Sequence, residues 1–292
     1  MTNTSRNKLI IICFSLIVLI TLFISITNKK THVVTHKANN PERFTTSDGT
    51  QINYLIYPAK HAKGTLLWLH GDGAAEFYEP DTKYYLEGPH GIKQAAAAHQ
   101  LTLIVPKTPS KDKTWWTNGE QNNEYLVELI RTLPAHDNLW IGSFSGGSEE
   151  VAYWLLHDLK KAGVKRGGAV LFGGGGSPKS EGITDTLPKS DVIQESFPLT
   201  WIAGEQDDGT DKYAKGFNTL KKSKESEAFY RSQGWDTKRI VLEGYGHLIS
   251  NDDEGLYGKY LNDVLNGKRD EIKSLPRNKR LNTNKLHLES LT

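Results

Sequence analysis

The spacing of apolar residues changes from segment to segment along this chain, and each spacing predicts a different element. Thr65–Leu69, Leu101–Val105, Leu139–Ile141, Gly168–Phe172, Pro198–Ala203 and Lys238–Leu242 are short runs, mostly apolar, of the kind that form strands covered on both faces. Segments of helical spacing lie between them. Ile92–Gln100 is rich in alanine, and Glu124–Leu133 repeats through Tyr125, Leu126, Leu129 and Ile130 until Pro134 stops it. A third segment leaves Ser145 with Val151, Trp154, Leu155 and Leu159 on one face; a fourth, Ser223–Ser232, is closed by Gly234. At the front, Arg43–Thr46 and Ile52–Tyr57 flank Ser47-Asp48-Gly49-Thr50, a hairpin turn signal. Strands alternating with helices predict an α/β fold, a mostly parallel sheet with helices on both faces and the hairpin added at one edge. The stretch 177–197 is punctuated by Pro and Ser with weak periodicity and reads as an excursion over the surface.

One apolar run belongs to neither pattern. Leu9–Thr27 carries no charge over 19 residues and spans about 28 Å as a helix, the thickness of a bilayer's hydrocarbon core. It is longer than a signal-peptide core, and no Ala-x-Ala-like cleavage site follows it. An uncleaved anchor is the expectation, with a cleaved signal peptide as the alternative. The flanking charges, Arg6 and Lys8 before and Lys29 and Lys30 after, nearly cancel. With only eight residues ahead of the run, a signal-anchor with the following domain outside the cytoplasm is expected. The chain therefore divides into a short flank (1–8), a transmembrane anchor (9–27), a polar linker (28–43), one large α/β domain (44–266) and a basic, flexible tail (267–292).

Composition removes several functions. The net charge of +2 on 292 residues gives no strong pull toward nucleic acid. The single cysteine, Cys13, lies in the apolar run, which excludes a disulfide framework or a cysteine-rich metal site. His32 and His36 have no acidic or thiol company, so no metal is expected there. In the tail, Lys268, Arg269, Lys273, Arg277, Lys279, Arg280 and Lys285 read as a solvated surface, with weak binding to an acidic surface as the sharper option.

Chemistry concentrates around Leu139-Trp140-Ile141-Gly142-Ser143-Phe144-Ser145-Gly146-Gly147-Ser148. A strand enters a turn of small residues and a helix leaves it, a context that can hold a serine on a strained corner with its hydroxyl exposed. A serine hydroxyl needs a base to take its proton. Of the histidines that follow, His157 is expected three turns down the departing helix and His287 lies in the tail. His247 follows the last strand, in a loop able to reach back over the carboxyl edge of the sheet, where ligands of open α/β sheets gather. An acid to orient that base is offered after strand 198–203, in Gly204-Glu205-Gln206-Asp207-Asp208. Asp207 is favoured by its offset from Gly204, with Asp208 left open; a calcium site from Asp207, Asp208 and Asp211 lacks the twelve-residue loop pattern. Backbone donors for an oxyanion would come from Gly146 and from the turn His70-Gly71-Asp72-Gly73, most simply Asp72, with His70 holding that turn.

With these pieces in order, residues 44–266 resemble the α/β-hydrolase superfamily. They look most like small serine esterases of the carboxylesterase and polyhydroxybutyrate-depolymerase-like groups. The resemblance rests on Trp68-Leu69-His70-Gly71-Asp72-Gly73, the Ser145 elbow, Gly204-Glu205-Gln206-Asp207 and Gly246-His247. It implies an α/β-hydrolase fold with Ser145 as nucleophile, Asp207 as acid, His247 as base, and Gly146 and Asp72 as oxyanion donors. It also implies a small-molecule ester substrate cleaved through an acyl-enzyme, with no cofactor and no metal. Two positions depart from the family: Ser143 stands where the elbow usually has glycine, and Asp72 puts a carboxylate in the hole-forming turn. Trp115 and Trp116 follow the second buried strand and either line a substrate pocket or pack their loop onto the body. Glu149 and Glu150 suit the positive end of the helix leaving the elbow and carry no expected chemistry. A serine peptidase or thioesterase would share the triad, and a membrane-tethered binding protein could keep it in vestigial form.

Overall fold

The hairpin forms for a local reason. Asp48 Oδ1 accepts from Thr46 Oγ1 at 2.5 Å and from the Thr50 N–H at 2.9 Å, closing the turn between β1 (Glu42–Thr45) and β2 (Gln51–Tyr57). In this computed structural model, residues 40–184, 197–251 and 254–275 are described. The expected anchor at 9–27, most of the linker, the larger part of the surface excursion and the tail beyond 275 lie outside the described residues. Among the described residues, no helix is long and apolar enough to cross a membrane.

β2 pairs antiparallel with β4 (Leu101–Pro106), and from there the sheet is parallel. β3 (Gly64–Leu69), β5 (Asn138–Phe144), β6 (Arg166–Phe172), β7 (Leu199–Gly204) and β8 (Thr237–Leu242) complete eight strands in the order β1-β2-β4-β3-β5-β6-β7-β8. β3, β4 and β7 are buried along their whole length, and β6 is buried beyond Arg166, as continuous apolar runs demand. Successive side chains serve opposite layers. Leu67, Leu69 and Leu171 join one core, and Leu66, Trp68 and Phe172 the other.

The first core is capped by α3 (Gly119–Thr132), α4 (Gly146–Tyr153) and α5 (Thr219–Ser232). The second is capped by α2 (Ile92–Ala98) and α6 (Tyr257–Leu265), while α1 (Ala75–Tyr78) is a single turn after β3. Helices thus cover both faces, as the alternation predicts. α5 starts four residues before its expected position because Asn218 Oδ1 caps it, accepting the Lys221 N–H at 2.8 Å. α3 starts five residues early, at Gly119, where a β-carbon would meet the Trp154 ring at 2.2 Å. α4 is shorter than its apolar spacing implies. Its cap Trp154 leaves helical geometry at φ −130°, and Leu155–His157 form a 3₁₀ turn. His157 therefore does not ride a continuous helix away from Ser145.

α6 has no counterpart among the predicted elements, although Tyr257, Tyr260, Leu261 and Val264 are spaced for one buried face. Tyr257 reaches under the elbow, its ring 5.2 Å from Phe144, 5.4 Å from Phe172 and 6.1 Å from Trp68. Two short strands, Ser250–Asn251 and Glu254–Gly255, pair ahead of it. The first residues of the basic segment hold to the body: Arg269 pairs with Asp236, Lys238 with Asp270 at 2.6 Å, and Tyr245 Oη donates to the Leu275 carbonyl at 3.3 Å.

Candidate active site

Ser145 sits between β5 and α4 at φ 49°, ψ −119°, a backbone conformation that costs a non-glycine residue about 1–3 kcal/mol. The surroundings impose it. A β-carbon on Gly147 would meet the Leu69 and His70 carbonyls at 2.4 and 2.6 Å, so strand and helix pass here at backbone contact. The Ser145 N–H donates to the Phe172 carbonyl at 2.9 Å, while the Ser145 carbonyl accepts from Ser148 and Glu149 in the first turn of α4. Ser143, the departure from the family pattern, is fully buried, and its hydroxyl is satisfied. Its Oγ lies 3.0 Å from Ser148 Oγ, which donates to the Phe172 carbonyl at 3.0 Å.

His247 is brought from beyond β8 to the serine, with Nε2 3.0 Å from Ser145 Oγ. Its Nδ1 lies 2.9 Å from Asp207 Oδ2. A carboxylate accepts only, so Nδ1 carries the hydrogen and Nε2 is left to accept from the serine hydroxyl. The ring packs between Phe144 and Phe217, at 5.0 and 6.1 Å. Asp207 is fully buried beyond β7, its N–H donating to the Gly204 carbonyl at 3.1 Å and its carbonyl accepting from Leu220 at 3.2 Å. Asp208 points to solvent, accepting from the Thr210 N–H and hydroxyl at 2.9 and 2.7 Å, and these bonds hold its carboxyl below the usual range. Of the two candidate acids, only Asp207 meets His247. Asp211, weighed in the sequence only as a calcium ligand, accepts the His247 backbone N–H at 3.1 Å and the Tyr213 N–H at 2.8 Å. Among the described residues no cluster suits a metal ion.

The turn after β3 is held by two buried groups. His70 Nδ1 donates to the Gly71 carbonyl at 2.7 Å and Nε2 accepts the Thr108 N–H at 3.1 Å. Burial pushes its pKa down to about 4, which keeps the ring neutral and able to accept. Glu76 Oε1 accepts from the Gly71 N–H at 3.0 Å and from Trp68 Nε1 at 3.4 Å, and burial pushes its pKa up to about 7. Glu76 was not legible as a site residue, because its partners are a backbone N–H and an indole rather than a charge. Beyond the turn, the N–H groups of Asp72 and Gly146 have no acceptor among the described residues. The Asp72 side chain does not point away from the site. Trp116 Nε1 donates to both carboxylate oxygens, at 3.2 and 3.1 Å, and a β-carbon on Gly146 would meet Asp72 Oδ1 at 2.0 Å. Although the residue is exposed, its carboxylate end is tucked in. Burial raises its pKa, the Trp116 N–H opposes that, Asp112 adds to it and His247 counters it.

The two tryptophans part company. Trp115 is 0% exposed and stacks near His70 with ring centroids 5.0 Å apart, so its assignment to substrate binding is corrected: it packs the loop onto the body. Trp116 is 47% exposed and lines a cleft of about 870 Å³ together with Ser145, His247, Tyr85, Tyr213 and Phe217. Glu149 also lines it. This residue is buried, accepts the Gly175 N–H at 3.0 Å and faces Lys222 Nζ at 3.7 Å, and burial raises its pKa. Lys222 in turn pairs with Glu181 at 2.6 Å. Glu150 is fully buried, neither of its carboxyl oxygens has a partner among the described residues, and burial pushes its pKa well up. The helix-end role expected for these two glutamates therefore understates Glu149 and does not describe the buried Glu150.

No family model and no curated protein matches the sequence. Among solved structures the chain is similar to a thermostable esterase, at 17% identity over 79% of this chain and 61% of that one, with a TM-score of 0.50. It is similar to acyl-protein thioesterase 2 of Zea mays, at 16% identity over 74% of this chain and 98% of that one, with a TM-score of 0.51. It is also similar to esterase 2 of Thermogutta terrifontis phosphonylated by cyclosarin, at 11% identity over 81% and 94%, with a TM-score of 0.50. The chain thus spans less than two thirds of the thermostable esterase and nearly all of the other two. These likenesses show the fold, which is the α/β-hydrolase fold expected from the elbow and its partners.

Proposed function

We propose that the protein is a serine hydrolase that cleaves carboxylic esters through an acyl-enzyme. The observation that carries this is the unbroken chain Ser145 Oγ–His247 Nε2 at 3.0 Å and His247 Nδ1–Asp207 Oδ2 at 2.9 Å. His247 takes the hydroxyl proton as Ser145 Oγ attacks the ester carbonyl carbon. Asp207 fixes the Nδ1–H tautomer and stabilises the imidazolium. The carbonyl oxygen becomes an oxyanion and accepts from the free N–H groups of Gly146 and Asp72. As the intermediate collapses, the bond to the leaving oxygen breaks and His247 Nε2 protonates the departing alcohol. Water then enters, gives its proton to His247 and attacks the acyl-enzyme, and Ser145 regains its proton as the acid leaves. The strain at Ser145 and the backbone contact beneath it hold Oγ outward, so little reorganisation is needed before attack. The names of the structural neighbours, esterases and a thioesterase, are in keeping with this reading.

The test is hydrolysis of short p-nitrophenyl esters by the purified protein and by Ser145→Ala. The substitution is expected to lower turnover by at least ~10³-fold. Unchanged hydrolysis by a folded Ser145→Ala protein refutes the proposal. A panel of matched ester, thioester and peptide amide substrates separates an esterase from a thioesterase or peptidase on the same fold.

The proposal includes a single-pass tether through residues 9–27 with the hydrolase domain outside the cytoplasm, supported by the length and lack of charge of that run. Recovery of the full chain in the membrane fraction after carbonate washing is expected, and release by carbonate alone overturns the tether.

A further inference from the structure

Asp72 sets an electrostatic problem at the reacting centre. Its carboxylate lies directly over the α-carbon of Gly146, whose N–H is a proposed oxyanion donor. Bond lengths and hydrogen-bond reach place an oxygen accepting from Gly146 within about 8 Å of Asp72 Oδ1. The hydrogen bonds to Asp72 come from Trp116 Nε1, a neutral donor, and among the described residues no lysine or arginine forms an ion pair with it. The charged neighbours that act on it are Asp112, of like sign, and His247. The other charges of the cleft do not answer it. Lys222 is engaged by Glu181 at 2.6 Å and faces Glu149 at 3.7 Å, and Lys215 is exposed. A neutral ester therefore has to build an oxyanion beside a standing negative charge, with two backbone N–H donors and the His247 imidazolium to offset it. A substrate that brings its own positive charge close to the carbonyl removes that conflict.

We propose that Asp72 is a specificity-determining residue that selects esters whose acyl part carries an α-ammonium group, aminoacyl esters being the class. This inference rests on the serine-hydrolase reading above. The α position is one bond from the carbonyl carbon, so an ammonium there is as near to the developing oxyanion as any substituent of the acyl group can be. The free side of the Asp72 carboxylate accepts from the ammonium while its backbone N–H donates to the oxyanion. Trp116 holds the carboxylate in the cleft by its indole N–H. The same contact means that a β-carbon at position 146 is accommodated only if the Asp72 carboxylate shifts.

The test compares L-alanine benzyl ester with benzyl isobutyrate, which differ by an ammonium in place of a methyl group. Release of benzyl alcohol is followed at pH 6.5, each rate is divided by the hydroxide-catalysed rate, and wild type is compared with Asp72→Asn, which keeps the backbone N–H and an acceptor for Trp116. A carboxylate and an ammonium in hydrogen-bond contact, with charge centres about 4 Å apart, change a rate by about 10³-fold at an effective dielectric constant of about 20, which the exposure of Asp72 reduces to about tenfold. The cationic-to-neutral ratio of kcat/KM is therefore expected to fall about tenfold in Asp72→Asn. Repulsion of the oxyanion is common to both substrates and cancels in this ratio. An unchanged ratio, with both esters hydrolysed, overturns the inference and leaves the hydrolase reading standing. Loss of all turnover and of fluorophosphonate labelling in the wild type overturns the hydrolase reading itself, and the inference with it. If Asp72→Asn does not fold, 0.5 M salt on the wild type replaces it: screening is expected to lower the ratio, and no change refutes the inference.

Discussion

Protonation of His70 is expected to unlock the turn that supplies Asp72. The ring is fully buried, donates from Nδ1 to the Gly71 carbonyl and accepts the Thr108 N–H at Nε2, so a proton added at Nε2 sets two donors against each other. Burial lowers its pKa from 6.5 to about 4. Above pH 6.5 the group is neutral in both folded and unfolded chains and contributes no pH dependence. As pH falls below 6.5 the unfolded chain takes up the proton first, and stability drops until the native ring titrates near pH 4. Integrated to pH 4.5, the loss is about 2.5 kcal/mol. Glu76 works in the opposite sense. Its pKa is raised to about 7 from 4.5, so its contribution grows as pH falls through that interval. A variant difference isolates the histidine. His70→Gln keeps one donor and one acceptor without the titration. The stability advantage of wild type over His70→Gln, from urea unfolding at pH 7.5, 6, 5 and 4.5, is expected to shrink by about 2.5 kcal/mol across the series. A difference that stays constant with pH refutes the argument.

Asp207→Asn, which leaves the side chain in place but lets Nδ1 lose its proton, is expected to lower kcat by about 10⁴-fold with little change in thermal stability. Leu261→Ala on the buried face of α6 is expected to destabilise the domain by about 2–5 kcal/mol in urea unfolding, because it empties a fully covered site. Ser143→Val removes the partner of Ser148 Oγ and is expected to cost about 1–3 kcal/mol of stability, whereas Ser143→Gly, which restores the usual elbow residue, retains full esterase turnover.

The sheet was legible because its strands are continuous apolar runs between punctuating glycines and prolines, and a buried run has few ways to be anything else. Boundaries slipped where a side chain or a contact, rather than periodicity, sets the end. Asn218 starts α5, and Trp154 ends α4 against the apolar spacing that continues through Leu155 and Leu159. α6 carries its full pattern at Tyr257, Tyr260, Leu261 and Val264, yet the elements predicted from the sequence end at Leu242. Around the elbow, chain order brought out His247 and left Asp207 beside Asp208; only the turn at Thr210 separates the two acids in space. Asp211 and Lys222 had no such signal, since each acts by meeting a group far away in sequence, and Glu76 had none because its near partners are a backbone N–H and an indole. The tryptophans show the same limit: neighbours in the chain, one lies in the core and the other in the cleft.

Ser145 and His247 stand 102 residues apart in the chain, and His247 and Asp207 stand 40 apart, on the ends of three different strands. Chemical competence is therefore a property of the completed topology. On the proposed mechanism, a nascent chain that has emerged only as far as β6 already carries the elbow, but it has neither the base nor the acid, and its serine is an ordinary alcohol. Contacts of such long sequence separation form late, after the loop-closure entropy has been met. Fluorophosphonate labelling during refolding thus works as a clock for the docking of β7 and β8, running behind any probe of helix formation. On the proposed mechanism the same ordering keeps half-made or truncated copies of this protein hydrolytically silent.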